Sequence, residues 1–167
     1  MVLITELKDE DIRACLDIYN YYIENSCFTL EEKNVGYDEF KSRVDRITEK
    51  YPFIVAKDGD GCVLGYAYLD IFNSRSAYRI TADLSIYISH SYLGRGVGKL
   101  LLNETEKRAR LSGIENIVSL ITSENRASAA FHKKNGFVFE GELKDVAIKF
   151  GKYQSLSFYR KALKHSV

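Results

Sequence analysis

Hydrophobic and polar positions along the chain follow two periods, and each change of period marks an element. Val2 to Glu6 alternate and predict an opening strand. Asp9 and Asp11 then offer N-cap carboxylates to the amides of a following helix. Ile12, Cys15, Leu16, Tyr19 and Tyr22 recur at helical spacing, so that helix buries one stripe. Residues 25–36 are irregular. A second helix is predicted over 37–49, with Phe40, Val44 and Ile47 on one face and Pro52 closing the helical region.

After Pro52 the period shortens. Residues 53–56 read as a strand, and Asp58-Gly59-Asp60-Gly61 has the residues a tight hairpin turn demands. Further strands are predicted over 62–72 and 82–88. A glycine-punctuated loop follows, then a helix to about Leu111 carrying Leu100, Leu101 and Ala109. A short buried strand covers 117–122, and a short helix covers 127–134, closed by Asn135-Gly136. Residues 137–150 and 153–163 read as closing antiparallel strands about a turn at Gly151. The order β-α-α-β-β-β-α-β-α-β-β predicts an α/β fold around one mixed sheet. With 167 residues and no repeat or linker, residues 1–167 read as a single domain.

Composition narrows the function classes. A hydrophobic share of 46% and one proline exclude a disordered chain. Twelve tyrosines and nine phenylalanines predict an aromatic core. A formal net charge of +1 supplies no basic field, so no nucleic-acid partner is expected. Cys15, Cys27 and Cys62 lack zinc or disulfide spacing and read as reduced thiols, with no metal expected. The acidic start MVLITELKDEDI is unlike a signal peptide, and no apolar run approaches the roughly 20 residues of a membrane span. The expectation is a soluble, cytoplasmic protein with no membrane partner.

The most informative segment is Ser85 to Leu101, SIYISHSYLGRGVGKLL. A strand enters a loop with Gly94, Gly96 and Gly98, and a helix leaves it. Glycines let backbone approach a ligand closely. Amides at a helix start, with Arg95 and Lys99 beside them, suit a pyrophosphate. The loop reads G-x-G-x-G, so it misses the G-x-G-x-x-G of dinucleotide folds, and Lys99 is followed by Leu100 where a Walker loop needs Ser or Thr.

The strand, Arg95-Gly96-Val97-Gly98 and the following helix resemble the acyl-CoA signature of the GNAT acetyltransferases, [QR]-x-x-G-x-[GA], with Leu93 in place of the usual first residue. Asn125 to Phe137 is similar to a second family segment, N-x-x-[SA]-x-x-[LF]-[YH]-x-x-x-G-[FY]. The resemblance implies a mostly antiparallel sheet of six to seven strands flanked by about four helices. It also implies acetyl-CoA as co-substrate. Ile86, Tyr87 and Ile88 would contact the pantetheine arm, on a strand that in this family splays from its neighbour. Gly94, Arg95, Gly96, Val97, Gly98 and Lys99 would hold the diphosphate, and Asn125 and Ser128 would face the CoA arm. His132 stands where many members place a Tyr near the thioester sulfur.

Arg75-Ser-Ala-Tyr78, Thr81 and Ser85-Ile-Tyr-Ile88 resemble the phosphinothricin and methionine sulfoximine acetyltransferase subgroup. The subgroup's glutamate base aligns with Asp83, one methylene shorter. By this resemblance Asp83 is the base, and His132 or a nearby Tyr supplies the proton to the departing thiolate. Arg75, Tyr78, Thr81, Lys152 and Tyr153 bind a small amino acid-like amine acceptor. The resemblance also implies a homodimer. The alternatives are a protein or polyamine acetyltransferase and a non-catalytic CoA-binding sensor.

Overall fold

The computed structural model describes residues 1–163. Its elements are β1 (Leu3–Glu6), α1 (Ile12–Asn25), α2 (Tyr37–Thr48), β2 (Phe53–Lys57), β3 (Val63–Ile71), β4 (Thr81–Ile88), α3 (Val97–Leu111), β5 (Asn116–Thr122), α4 (Arg126–Lys134), β6 (Val138–Lys149) and β7 (Lys152–Ala162). Among the described residues these seven strands take the order β1-β2-β3-β4-β5-β7-β6. β4 and β5 run parallel, whereas β1–β2, β2–β3, β5–β7 and β6–β7 are antiparallel. The expected mixed sheet with four helices is therefore present. No helix among the described residues is long and apolar enough to cross a membrane.

The chain forms two compact units, each gathered from separated segments. The first holds Met1–Asn20, Val35–Asp70 and Leu84–Gly113, and the second holds Tyr21–Asn34, Ile71–Asp83 and the described residues from Ile114 to Leu163.

In the first unit, alternation along the strands sends apolar side chains to both faces. Ile54, Ala56, Leu64 and Ala67 pack with Val97 and Leu101 of α3. Phe53 and Val55 face the other way, where rings gather. Phe53 stacks on Tyr66 and Tyr68 at 5.5 and 4.9 Å, Tyr66 meets Tyr87 at 5.4 Å, and Tyr87 meets Tyr19 edge-on at 5.2 Å. Of the twelve tyrosines only Tyr22, Tyr66 and Tyr159 are buried, so the aromatic core expected from composition uses few of them. One expectation changes at the first helix. Asp11 is buried at 3% exposure. Its carboxylate accepts from Lys8 N at 3.0 Å and pairs with Lys57 Nζ at 2.6 Å, closing a 3-10 turn ahead of α1 rather than capping forward.

In the second unit, the first three residues of β4 pair with β5, as Thr81↔Asn116, Ala82↔Ile117 and Asp83↔Val118. β5 pairs along its length with β7, and β7 folds back on β6 through Phe150 and Gly151, both in the left-handed region. The strand predicted over 137–150 is not plain. Its register shifts between Phe139 and Gly141 and between Leu143 and Ala147, and Asp145 has φ 54°. There Asp145 N donates to the Ser155 hydroxyl at 3.1 Å, so a side chain replaces the ladder partner. Residues 26–34 form a strap held by local bonds, including Ser26 Oγ to Tyr22 O at 2.8 Å and Phe28 N to Ser26 Oγ at 3.1 Å. Phe28 stacks on Tyr22 at 5.9 Å. Ahead of β4, a 3-10 turn over Ser76–Ile80 was not predicted from the sequence pattern.

Candidate active site

The glycine loop belongs to the first unit. After Ile88 the chain turns through Ser89–Tyr92, closed by Tyr92 N donating to Ser89 O at 2.8 Å. The Tyr92 ring packs on the core cluster of Ile54, Val97 and Leu101, and the Arg95 guanidinium sits 5.1 Å from its centroid. Gly94 and Gly96 have φ values of 73° and 81°. An added Cβ would meet nothing within 4 Å at either, so backbone conformation and not space demands glycine. Gly96 is the N-cap of α3, and its carbonyl accepts from Lys99 N at 3.1 Å and Leu100 N at 3.3 Å. A glycine cap brings no side-chain acceptor to the helix start, where Gly96 O takes Lys99 N and the Val97 and Gly98 amides precede the first bond of the helix ladder. That leaves amides and the positive end of the helix dipole for an anion. Val97 is buried at 2%, which anchors the helix start, while Arg95 and Lys99 stay exposed.

The structure therefore brings Gly94, Arg95, Gly96, Val97, Gly98 and Lys99 into one turn, with Ile86 and Ile88 packed in the same cluster. Tyr87 points to the opposite face, between Tyr66 and Tyr19. Gly65, on β3, sets the approach of this end of β4. A Cβ there would fall 2.7 Å from Tyr87 O and 2.8 Å from Ile88 Cδ1. Ser89 N also donates to Leu64 O at 2.8 Å.

The remaining candidates lie in the second unit. Arg75 caps the 3-10 turn and accepts from Tyr78 N at 3.0 Å through its carbonyl, and its own N–H donates to Asn73 Oδ1 at 3.1 Å. Its side chain is exposed, and Tyr78, at 42% exposure, meets Phe72 edge-on at 5.7 Å. Thr81 and Asp83 are half-buried and share a strand face, opposite the fully buried Ala82. Arg75, Tyr78, Thr81 and Asp83 thus come from one short stretch. Lys152 and Tyr153 are neighbours in sequence but point to opposite faces of β7, with Tyr153 69% exposed.

Asn125, Ser128 and His132 form one stripe at α4. Asn125 Oδ1 caps the helix by accepting from Ser128 N at 3.1 Å, which leaves its amide N–H₂ as the donor end. His132 is buried at 5% exposure, against Phe131 and Phe137 at 5.3 and 4.8 Å. Its Nδ1 lies 2.8 Å from Ser128 O, and a carbonyl only accepts, so Nδ1 carries the proton. Burial pushes its pKa below the ordinary value, against the opposing pull of that backbone bond. The ring is neutral near pH 7, with its lone pair at Nε2.

Comparison with known proteins decides the family. Residues 17–137 match the model of the Acetyltransferase (GNAT) family. The chain belongs to the GNAT acetyltransferase family. It is 34% identical over 149 residues to the L-methionine sulfoximine/L-methionine sulfone acetyltransferase of Pseudomonas paraeruginosa, covering 89% of this chain and 87% of that one. Two crystal structures resemble it closely. The N-acetyltransferase from Staphylococcus aureus Mu50 has a TM-score of 0.94 and 32% identity, covering 98% of this chain and 99% of that one. The phosphinothricin acetyltransferase from Sinorhizobium meliloti, solved in complex with AcCoA, has a TM-score of 0.93 and 32% identity, covering 96% and 88%. The GNAT chain described here is accordingly an N-acetyltransferase.

For this GNAT chain the loop glycines are legible from sequence, but the part played by Gly65 is not. A lone glycine within a strand pattern signals close backbone approach without naming the neighbour. The neutral state of His132 is not legible either, because its burial arises only from packing in the fold.

Proposed function

We propose that the chain transfers the acetyl group of acetyl-CoA to the primary amine of a small amino acid-like acceptor, of the phosphinothricin or methionine sulfoximine type. The carrying observation is the turn at Gly94–Lys99, where two left-handed glycines open α3 and leave its first amides beside Arg95 and Lys99. The chemistry of that donor set fits a diphosphate. The acceptor class is supported by the relatives named above, at 34% and 32% identity.

When bound, acetyl-CoA supplies an activated acyl thioester. Loop amides with Arg95 and Lys99 hold the diphosphate, and the Asn125 amide and Ser128 hydroxyl bind along the CoA arm. Backbone groups of Ile86, Tyr87 and Ile88 line the pantetheine, and an amide near Ile88 polarises the acyl carbonyl. Asp83, directly or through one water, takes the proton from an amine whose pKa in water is about 10. Arg75, Tyr78 and Thr81 hold the acceptor, and of the pair Lys152 and Tyr153 only Lys152 shares the face of Asp83. His132 enters as a neutral imidazole acting through Nε2. A thiol of ordinary pKa, about 8.5, needs no imidazolium to be released near neutral pH.

Residues 1–167 serve as one catalytic domain in this reading. Each unit is assembled from three separated segments, so no single cut frees one from the other. A homodimer is supported by exposed apolar side chains on β6, among them Leu143, Val146 and Ile148. A cytoplasmic location is supported by three free cysteines. The test of the chemical assignment is Asp83→Asn. Its kcat should fall by about 10²–10⁴-fold while the KM for acetyl-CoA holds. A variant with wild-type kcat removes Asp83 as the base.

A further inference from the structure

Within the second unit, α4 and the last three strands enclose a cavity of about 290 Å³, near the lower end of the roughly 300–1,000 Å³ of small-molecule sites. Its floor is the buried Ile121, Ser157 and Tyr159, and its walls are Lys133 from α4 with Phe139 and Glu142 from β6. The strand registers place it. Ile121 pairs with Ser157, Ser157 pairs with Glu142, and Ile121 lies four residues beyond Ile117, the partner of Ala82. The cavity therefore opens on the Ala82 face of the sheet, and Asp83 belongs to the other face. On α4, Ala129 and Lys133 also line the cavity, about 100° round the helix from Ser128 and His132. The cavity is thus separate from both sets of residues assigned above.

Its polar chemistry is one-sided at each end. Ser123 Oγ and Ser157 Oγ both donate to Glu142 Oε2, the second at 3.4 Å. A hydroxyl has a single hydrogen, so each serine is left with lone pairs alone. Among the described residues the Glu142 carboxylate has no ion-pair partner, and its Oε1 has no donor. Acceptors from three side chains meet there, and a primary ammonium brings three N–H donors with the opposite charge.

Toward the other end, Lys133 Nζ stands 5.9 Å from the centroid of the Tyr159 ring and has no carboxylate partner among the described residues. Ser157 and Tyr159 are two residues apart on β7, about 7 Å. An α-amino acid holds its ammonium nitrogen and carboxylate carbon about 2.5 Å apart. With a charge-assisted hydrogen bond of about 2.8 Å at each end, such a zwitterion spans that interval. A simple amine would leave Lys133 unused, and a simple carboxylate would face the like charge of Glu142. Phe139 meets Tyr159 edge-on at 5.6 Å and is 47% exposed, which offers an apolar surface beside the two charges.

We propose that this cavity is a second amino acid site, taking a free α-amino acid with an apolar side chain. Glu142, Ser123 and Ser157 hold the ammonium, Lys133 holds the carboxylate, and Phe139 with Tyr159 packs on the side chain. The occupant joins α4 to β6 across the sheet from Asp83.

Calorimetric titration of the intact chain with L-leucine, in the absence of acetyl-CoA, tests this. Glu142→Gln removes the charge and keeps an acceptor oxygen, and Lys133→Met keeps the apolar stem. The wild type should bind L-leucine at least tenfold more tightly than either variant does. It should also prefer L-leucine at least tenfold over 3-methylbutylamine, which lacks the carboxylate, and over 4-methylpentanoate, which lacks the ammonium. Lys133 and Glu142 are exposed, so the unligated thermal midpoints of the variants should match the wild type's. Their kcat/KM for the acetyl acceptor should stay within twofold of wild type. Equal L-leucine affinity in wild type and both variants would put the bound amino acid elsewhere and overturn the proposal. So would no binding up to about 10 mM L-leucine, or an amine bound as tightly as the amino acid. A parallel loss of L-leucine binding and acceptor kcat/KM would make the cavity part of the acceptor site, and overturns its separateness. Binding is read without acetyl transfer, so the result stands apart from the function proposed above.

Discussion

At the scale of single residues, the decisive facts concern proton position and burial. His132 reads in sequence as a helix histidine at a family position, with a proton to give. In the fold its Nδ1–H is committed to Ser128 O and the ring is almost wholly buried. Periodicity could not reveal this, because the burial comes from Phe137 beyond the helix as well as from Phe131 within it. The consequence is a pH dependence of known sign. The folded pKa lies below the ordinary 6.5, so as pH falls the unfolded chain takes the proton first. Stability present above 6.5 is therefore lost as pH drops below that value toward the folded pKa. Thermal midpoints of the wild type should fall over that window more steeply than those of His132→Asn. Parallel curves would contradict the burial of a neutral ring. Asp83 is the contrary case, since resemblance alone identified it and the register with Val118 supplies its neighbourhood.

At the scale of elements, the pattern of the chain was legible wherever one face is buried. The Phe40, Val44 and Ile47 stripe, the Asp58–Gly61 turn and the helix from Val97 all stand where periodicity and turn chemistry place them. What was hidden lies where the ladder is broken by side chains. The bulge at Asp145 depends on Ser155, ten residues away, and the 3-10 turn at Ser76–Ile80 has no hydrophobic period to announce it. The glycine loop carries its own prediction. Gly96 sits at φ 81°, so Gly96→Ala should cost about 1–2 kcal/mol in the free protein. Relaxing that strain would also re-aim the first amides of α3. Calorimetry should then show at least a tenfold weaker affinity for CoA, about 1.4 kcal/mol. Unchanged affinity would move the diphosphate away from this turn.

At the scale of the whole molecule, membership of the GNAT family accounts for the strand order and for the long matches to solved relatives. The expected dimer depends on the exposed apolar side chains of the edge strand β6, and light scattering at micromolar concentration should give twice the 19.1 kDa chain mass. A monomer there would leave Leu143, Val146 and Ile148 unexplained by self-association. The central claim is catalysis of acetyl transfer to a small amino acid-like amine. Its most direct test is thiol release from acetyl-CoA, measured with the intact chain against amino acids, polyamines and lysine peptides. The account predicts turnover with L-methionine sulfone or phosphinothricin, and little with peptides or polyamines. Tight CoA binding with no thiol release from any acceptor would contradict it.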